Sequence, residues 1–237
     1  MSKKSTDKSV NVTIVIAVIG LVGTVIAALL GSPLLEKWLE KPPAPTATNP
    51  PDATLIFSED FEDGVASGFT YYVGTWEIAK DKSNYVLKAT ALPSGSDVLA
   101  DAVFGPSDFS NGIVEFRIKF IQLGGVLLDF RYQNQQKYCL YLFPPPDQEI
   151  GFIFTSADTD WYYQRLPQAQ QPFTFQENVW YLIKLEARGE EMIVFIDNNR
   201  ITSATDDRLL KGRLMFELLS PDMIIYLDDI KVWSFDQ

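Results

Sequence analysis

Val114-Glu115-Phe116-Arg117-Ile118-Lys119-Phe120 carries apolar side chains at every even position and charged ones at every odd position. A period of two belongs to a β-strand with one buried face, because successive Cβ atoms point to opposite sides of the backbone. Tyr181-Leu182-Ile183-Lys184-Leu185-Glu186-Ala187 repeats the signal, with Tyr181, Ile183, Leu185 and Ala187 facing inward. Working outward from these two segments, further strands are expected at Thr54–Phe57, Thr70–Ile78, Tyr85–Ala89, Val98–Phe104, Val126–Tyr132, Tyr138–Phe143, Ile150–Phe154, Met192–Ile196, Arg213–Leu218 and Met223–Trp233. Turn-forming stretches such as Asp63-Gly64, Pro93-Ser94-Gly95, Asn111-Gly112, Gly124-Gly125 and Asp197-Asn198-Asn199 separate them. No segment there holds a helical period. About a dozen antiparallel strands in one domain must stack as two sheets or close into a barrel. An all-β, two-sheet antiparallel sandwich over residues 54–237 is the expectation.

The first fifty residues differ in kind. Val10 to Leu35 contains no charged residue, and a helix of ~20 apolar residues crosses ~30 Å of hydrocarbon. Residues 1–9 therefore read as a short cytoplasmic tail, 10–35 as a transmembrane helix and 36–53 as a juxtamembrane segment and stalk. A cleavable signal peptide fits less well, since the apolar run is too long and no A-x-A triplet follows it. Lys37 and Trp38 suit the membrane interface, and Lys3, Lys4 and Lys8 favour a cytoplasmic N-terminus with the C-terminal domain outside. Gly20, Thr24 and Ala28, beside Gly23, Ala27 and Gly31, form a face of small residues. Such a face lets two spans self-associate, although small residues are also common in spans that do not. Between Pro42 and Ala53, five of twelve residues are proline. That composition gives an extended spacer of about 35–40 Å.

Composition excludes several chemistries. With five lysines and four acids removed along with residues 1–52, the rest holds 15 basic against 27 acidic residues, so nucleic acid is a poor partner. There is no histidine, which removes imidazole bases and imidazole metal ligands. Cys139, the sole cysteine, lies in the apolar run Tyr138-Cys139-Leu140-Tyr141-Leu142 and reads as a buried, inert thiol. An outward-facing domain without disulfides suits a bacterial protein.

Several short signatures follow in order: Phe57-Ser58-Glu59-Asp60-Phe61-Glu62-Asp63-Gly64, Gly74-Thr75-Trp76-Glu77-Ile78, Phe130-Arg131-Tyr132, Tyr138-Cys139-Leu140-Tyr141, Asn178-Val179-Trp180-Tyr181, Val194-Phe195-Ile196-Asp197-Asn198 and Tyr226-Leu227-Asp228-Asp229-Ile230. The series resembles the concanavalin A-like lectin/glucanase superfamily, in particular its laminin-G-like bacterial jelly-roll modules, across residues 54–235. The resemblance implies two curved antiparallel sheets, first and last strands paired, and a concave face that often binds carbohydrate. It also implies that some members are glycoside hydrolases, which carry E-x-D-x-x-E on one strand. This chain has no such motif, and the adjacent Asp228-Asp229 would point to opposite faces. Catalysis is therefore not expected.

In Val126–Tyr132, if Val126, Leu128, Phe130 and Tyr132 face the core, Asp129 and Arg131 face the opposite side. A carboxylate and a guanidinium beside flat rings suit sugar hydroxyls and C–H faces. Asp129, Arg131, Tyr141, Trp161 and Tyr163 are thus the candidate ligand-binding residues; Trp76 reads better as core, and Asp129–Arg131 could equally be an ion pair. Similar modules often hold a structural calcium where the termini meet, so Asp60, Glu62, Asp63, Asp228 and Asp229 are candidate Ca²⁺ ligands, or else ordinary loop acids. The functional expectation is a membrane-anchored, extracytoplasmic, lectin-like module for a glycan. The alternatives are a protein-interaction or spacer domain, and a glycoside hydrolase.

Overall fold

The computed structural model describes residues 52–95, 97–144 and 146–235. The predicted tail, span and nearly all of the stalk, with the proposed self-association face, lie outside the described residues. Among the described residues no helix is long and apolar enough to cross a membrane.

Among the described residues sixteen strands follow one another: β1 (Thr54–Glu59), β2 (Phe69–Val73), β3 (Thr75–Asp81), β4 (Asn84–Thr90), β5 (Ala100–Phe109), β6 (Gly112–Gln122), β7 (Val126–Gln133) and β8 (Gln136–Phe143). They continue as β9 (Glu149–Ser156), β10 (Gln164–Arg165), β11 (Gln171–Pro172), β12 (Trp180–Arg188), β13 (Glu191–Ile196), β14 (Asn199–Thr205), β15 (Gly212–Leu218) and β16 (Ile224–Ser234). The described helical structure is one 3₁₀ turn, Ala157–Thr159. One sheet is ordered β14-β13-β12-β6-β16-β4-β3, with β1 also on β16; the other is β10-β9-β8-β7-β15-β5-β2, with β11 also on β9. The pairings between these strands are antiparallel, apart from one isolated parallel bridge from Phe120 of β6 to Glu177, and β1 pairs with β16. The expected all-β two-sheet sandwich is what the chain forms.

The core between the sheets follows the even positions of the opening segment. Val114, Phe116, Ile118 and Phe120 of β6 are fully buried, as are Ile183, Leu185 and Ala187 of β12. They meet Val126, Leu128 and Phe130 of β7, Leu140 of β8, Phe152 of β9 and Phe216 of β15 from the other sheet. Phe216 stacks on Phe104 at 4.7 Å between centroids and meets Phe116 edge-on at 5.0 Å. Alternation accounts for both faces of β15: Leu214, Phe216 and Leu218 enter this core, so Arg213, Met215 and Glu217 face away from it.

Two local departures from the expected pattern matter. The expected strand Thr70–Ile78 is two strands, β2 and β3, which belong to different sheets. Gly74 between them has φ +77, and a Cβ there would meet the Ala100 Cβ at 2.4 Å. Only glycine fits where the chain crosses from one sheet to the other. The second departure is in β7. Arg131 has φ +53, and the register on both neighbours shifts there, between Phe130 and Gln133 against β8 and between Arg213 and Met215 against β15. The bulge inserts one residue and reverses the parity of everything after it.

Candidate functional site

On the outer face of the second sheet, β5, β15, β8 and β9 together with three loops bound a cleft of about 1180 Å³. Cross-strand register fixes its floor. Asp101 of β5 stands opposite Glu217 of β15, Met215 opposite Asp129 of β7, and Lys137 of β8 opposite Thr155 of β9. Lys137 Nζ lies 2.7 Å from Asp129 Oδ2 and 2.6 Å from Glu217 Oε2, so one ammonium bridges two carboxylates. Asp129 is fully buried and the other two nearly so.

Burial sets the electrostatics. Desolvation alone would lower the Lys137 pKa, but the charges of Asp129 and Glu217 outweigh it and hold the ammonium well above its ordinary value. Desolvation, reinforced by the Asp129 charge and only partly offset by Lys137, pushes the Glu217 carboxyl up to about 8. Asp101 is raised too, chiefly by burial, although its side chain accepts a 2.7 Å hydrogen bond from the Val73 amide. Cys139, opposite Asp129, is fully buried, and burial raises its thiol far above the usual value. The inert reading of that cysteine agrees with this setting.

The rim is aromatic. Trp161 is 40% exposed, Tyr162 73% and Tyr163 39%, and all three line the cleft with Tyr72 and Tyr132. Burial, then the acidic groups below, lifts the Tyr163 hydroxyl to about 12. Trp161 sits at φ +58 after Asp160 at φ +53. Two successive left-handed residues, neither of them glycine, are costly, and the second is a bulky ring. The turn holds them by its own hydrogen bonds: Trp161 N donates to Ser156 O at 2.9 Å, and Asp160 N donates to Ala157 O at 3.1 Å. This backbone places the indole with Lys137 Nζ 5.5 Å from its centroid. A second, polar cavity of about 420 Å³ adjoins the cleft and shares Tyr132 and Arg213 with it.

The structure brings together some of the predicted ligand residues and parts others. Trp161 and Tyr163 flank the cleft, and Asp129 lies beneath it, bound to Lys137. Tyr141 faces the same side but is buried with Leu127, Cys139 and Ile153 in a small cluster. Arg131 is elsewhere: fully buried, it donates to Leu209 O at 3.0 Å and to Ser110 O at 2.8 Å. The bulge at Arg131 explains this, because it turns the guanidinium away and brings Tyr132, expected in the core, to the cleft wall. Trp76 packs against the core, donating to Val73 O at 2.9 Å and stacking on Tyr71. Lys137 and Glu217 carry no sequence signal: Lys137 stands just before the strand expected at Tyr138–Phe143, and Glu217 is a lone acid within Arg213–Leu218.

The five candidate calcium ligands do not converge. Asp60 accepts from Glu62 N and Asp63 from Val65 N, while Glu62 accepts from Tyr85 N. Asp228 accepts from Asn84 Nδ2 and from Asp229 N, and Asp229 faces Arg117 at 3.9 Å. Glu59, not Asp60, closes the loop after β1, accepting from Phe61 N at 2.8 Å and Ser67 N at 2.7 Å. Among the described residues no three acidic or thiol side chains are grouped to hold a metal ion.

No protein-family model matches the chain, and no curated protein matches it. Solved structures do share its fold. A carbohydrate-binding module from Bacillus subtilis is 17% identical, covering 69% of this chain and 93% of its own, with a TM-score of 0.54. The laminarinase catalytic domain of Thermotoga maritima is 13% identical over 77% of this chain and 98% of its own, at 0.54. Domain 4 of an extracellular arabinanase from Geobacillus stearothermophilus, solved with arabinotriose, is 15% identical over 77% and 93%, at 0.53. The fold is that of concanavalin-like jelly rolls, which house both carbohydrate-binding modules and glycoside hydrolases.

Proposed function

We propose that this chain is a membrane-anchored, extracytoplasmic carbohydrate-binding module that does not cleave its ligand. The observation that carries the reading is the cleft itself: exposed Trp161, Tyr162 and Tyr163 stand over a floor of buried charged groups. Sugars need both surfaces, flat rings for their C–H faces and polar atoms for their hydroxyls. The volume exceeds the roughly 300–1,000 Å³ usual for small-molecule sites, which leaves room for several sugar units. Anchoring is supported by the uncharged stretch from Val10 to Leu35 and the proline-rich stalk after it.

Glycoside hydrolysis needs two carboxyl groups that both reach the substrate, one as acid and one as nucleophile or base. Here Glu217 is tied, with the fully buried Asp129, to Lys137, and Asp101, the cleft acid opposite Glu217, accepts a hydrogen bond from the Val73 amide. Such a bridge favours a binder over a hydrolase. A glycan array probed with the full-length chain tests the reading. Binding that is lost in Trp161→Ala, with no reducing ends released from bound oligosaccharides, supports it. An array without any bound glycan would favour a protein-interaction domain, and released reducing ends a hydrolase.

A further inference from the structure

The cleft floor contains a polar atom that the fold leaves unused. Thr155 is fully buried and lines the cleft, yet its Oγ1 makes no hydrogen bond among the described residues. Buried hydroxyls without partners are uncommon, and one lining a cavity has a place for a ligand hydroxyl. Across Lys137 lies Glu217, whose ion pair uses Oε2. Burial raises this carboxyl to about 8, so at neutral pH it carries a proton and can donate as well as accept. The lining charges are also informative. Asp97, Asp101 and Asp160 line the cleft beside the protonated Glu217, against Lys137 and Arg213 alone, and Lys137 is held by Asp129 and Glu217. A uronate or sulfate entering here would meet acid on most sides.

Resting on the carbohydrate reading, we propose that the floor selects neutral glycans, with Thr155 Oγ1 and the Glu217 carboxyl hydrogen-bonding sugar hydroxyls beneath Trp161 and Tyr163, and rejects acidic ones. Selection is then pH-dependent. The groups facing Glu217 are Asp129 on β7, Lys137 and Cys139 on β8, Asp101 on β5 and Tyr163 on the rim loop. Lys137 stays charged and Cys139 and Tyr163 stay protonated through pH 9. Glu217 is the floor group that changes state near pH 8, and its ionisation removes a donor and adds a negative charge.

The test is titration of the full-length chain with matched neutral, uronate-bearing and sulfated oligosaccharides between pH 6 and 9. Neutral ligands should bind best, and affinity should fall as pH rises past 8. Thr155→Val should weaken neutral binding about fivefold to tenfold, the worth of one hydrogen bond. It should not lower the melting temperature, because the hydroxyl has no partner in the fold. Glu217→Gln, which keeps a neutral donor and acceptor, should bind with a flat pH profile. Preference for acidic glycans, wild-type affinity in Thr155→Val, or an unchanged pH profile in Glu217→Gln would each overturn the proposal while leaving the carbohydrate reading standing. Wild-type binding in Trp161→Ala, or no glycan bound at all, would overturn both.

Discussion

The two outer faces of the sandwich are built from the same materials and differ in how far those materials satisfy one another. On the first sheet, Lys119 pairs with Asp81, and Trp180 Nε1 donates to the same Asp81 carboxylate at 3.1 Å. Lys119 Nζ also lies 5.0 Å from the ring centroids of both Trp180 and Tyr226, and Arg117 covers Trp180 at 5.4 Å. Lys119 and Arg117 thus each have a ring and an acid, Arg117 facing Asp229 at 3.9 Å, and the rings serve as lids for these charges. On the second sheet Lys137 likewise ties Asp129 to Glu217 and lies 5.5 Å from the Trp161 ring, but Asp129 Oδ1, Tyr141 Oη and Thr155 Oγ1 are left over, and the exposed rings of Trp161, Tyr162 and Tyr163 come from a loop. Rings beside charges do not make a site. The proposed site differs in having unused polar atoms beneath exposed rings.

The largest expected effect tests the closed part of each face. Lys137→Met strands Asp129, which has no exposure, beside a second buried carboxyl. Removing one partner of a buried ion pair typically costs about 3–5 kcal/mol. Lys119→Met on the other face removes a charge from Asp81, whose side chain is one-fifth exposed, and should cost about 1 kcal/mol. Urea denaturation of both variants gives the comparison. Equal losses would mean that the two faces are electrostatically alike.

The next effect concerns the rings. Trp161→Ala should weaken glycan binding by about 2 kcal/mol, roughly thirtyfold, as removal of a central aromatic anchor does. Trp180→Ala should lower stability and leave glycan affinity unchanged, since its ring is enclosed by Arg117, Lys119 and Asp81. Calorimetry on both variants separates the roles. Loss of binding in Trp180→Ala would move the site to the first sheet.

A smaller effect is the pH dependence of stability. The folded Glu217 carboxyl titrates near 8, against 4.5 for an ordinary glutamate. Between those values the native state holds the extra proton, so stability is greatest below about pH 4.5 and is lost as pH rises to about 8. Glu115 on the opposite face is also raised, first by burial, but Lys231 and Lys184 flank it and limit the shift. Glu217→Gln should therefore flatten the fall in melting temperature between pH 5 and 8 by about 5 °C, and Glu115→Gln by less. The reverse order would place the more strongly perturbed acid on the first sheet.

How much of this was legible follows from the same contrast. Period two at Val114–Phe120 and Tyr181–Ala187 identified the buried faces residue by residue, because side-chain direction along a regular strand is a local property. Alternation assigns the charged odd positions to solvent, yet Arg117 and Lys119 are buried, covered by rings from strands distant in sequence. The strand β14 went unseen because Asn199-Arg200-Ile201-Thr202-Ser203-Ala204-Thr205 is a polar edge with little alternation of hydrophobicity. Arg131 and Tyr132 exchanged roles through one left-handed residue that composition does not announce. Of the cleft, Trp161 and Tyr163 were visible as rings beside a polar loop. Of the floor, Asp129 was legible and its partners were not, since Lys137 and Glu217 join it only when β7, β8 and β15 are laid side by side.

The smallest expected effect concerns a third group of acids, where β1 meets β16, and it sharpens what distinguishes the cleft. Asp60, Glu62 and Asp63 each accept a backbone amide, and Asp228 is held by Asn84 and the Asp229 amide. A carboxylate used in this way stabilises its turn through charge-assisted hydrogen bonds and has less to offer a cation. Calcium needs six to eight oxygens gathered at 2.3–2.6 Å, and among the described residues no three acidic side chains are grouped in that way. Ligand binding to the native state raises its stability in proportion to the logarithm of free ligand over Kd, so a real site would show in the melting temperature. The expected shift between EGTA and millimolar Ca²⁺ is under about 1 °C, read by thermal denaturation of the full-length chain. A rise of several degrees, abolished by Asp60→Asn or Asp228→Asn, would show that these acids regroup around an ion. The distinction between satisfied and unused polar groups would then fail as a guide to where this molecule binds.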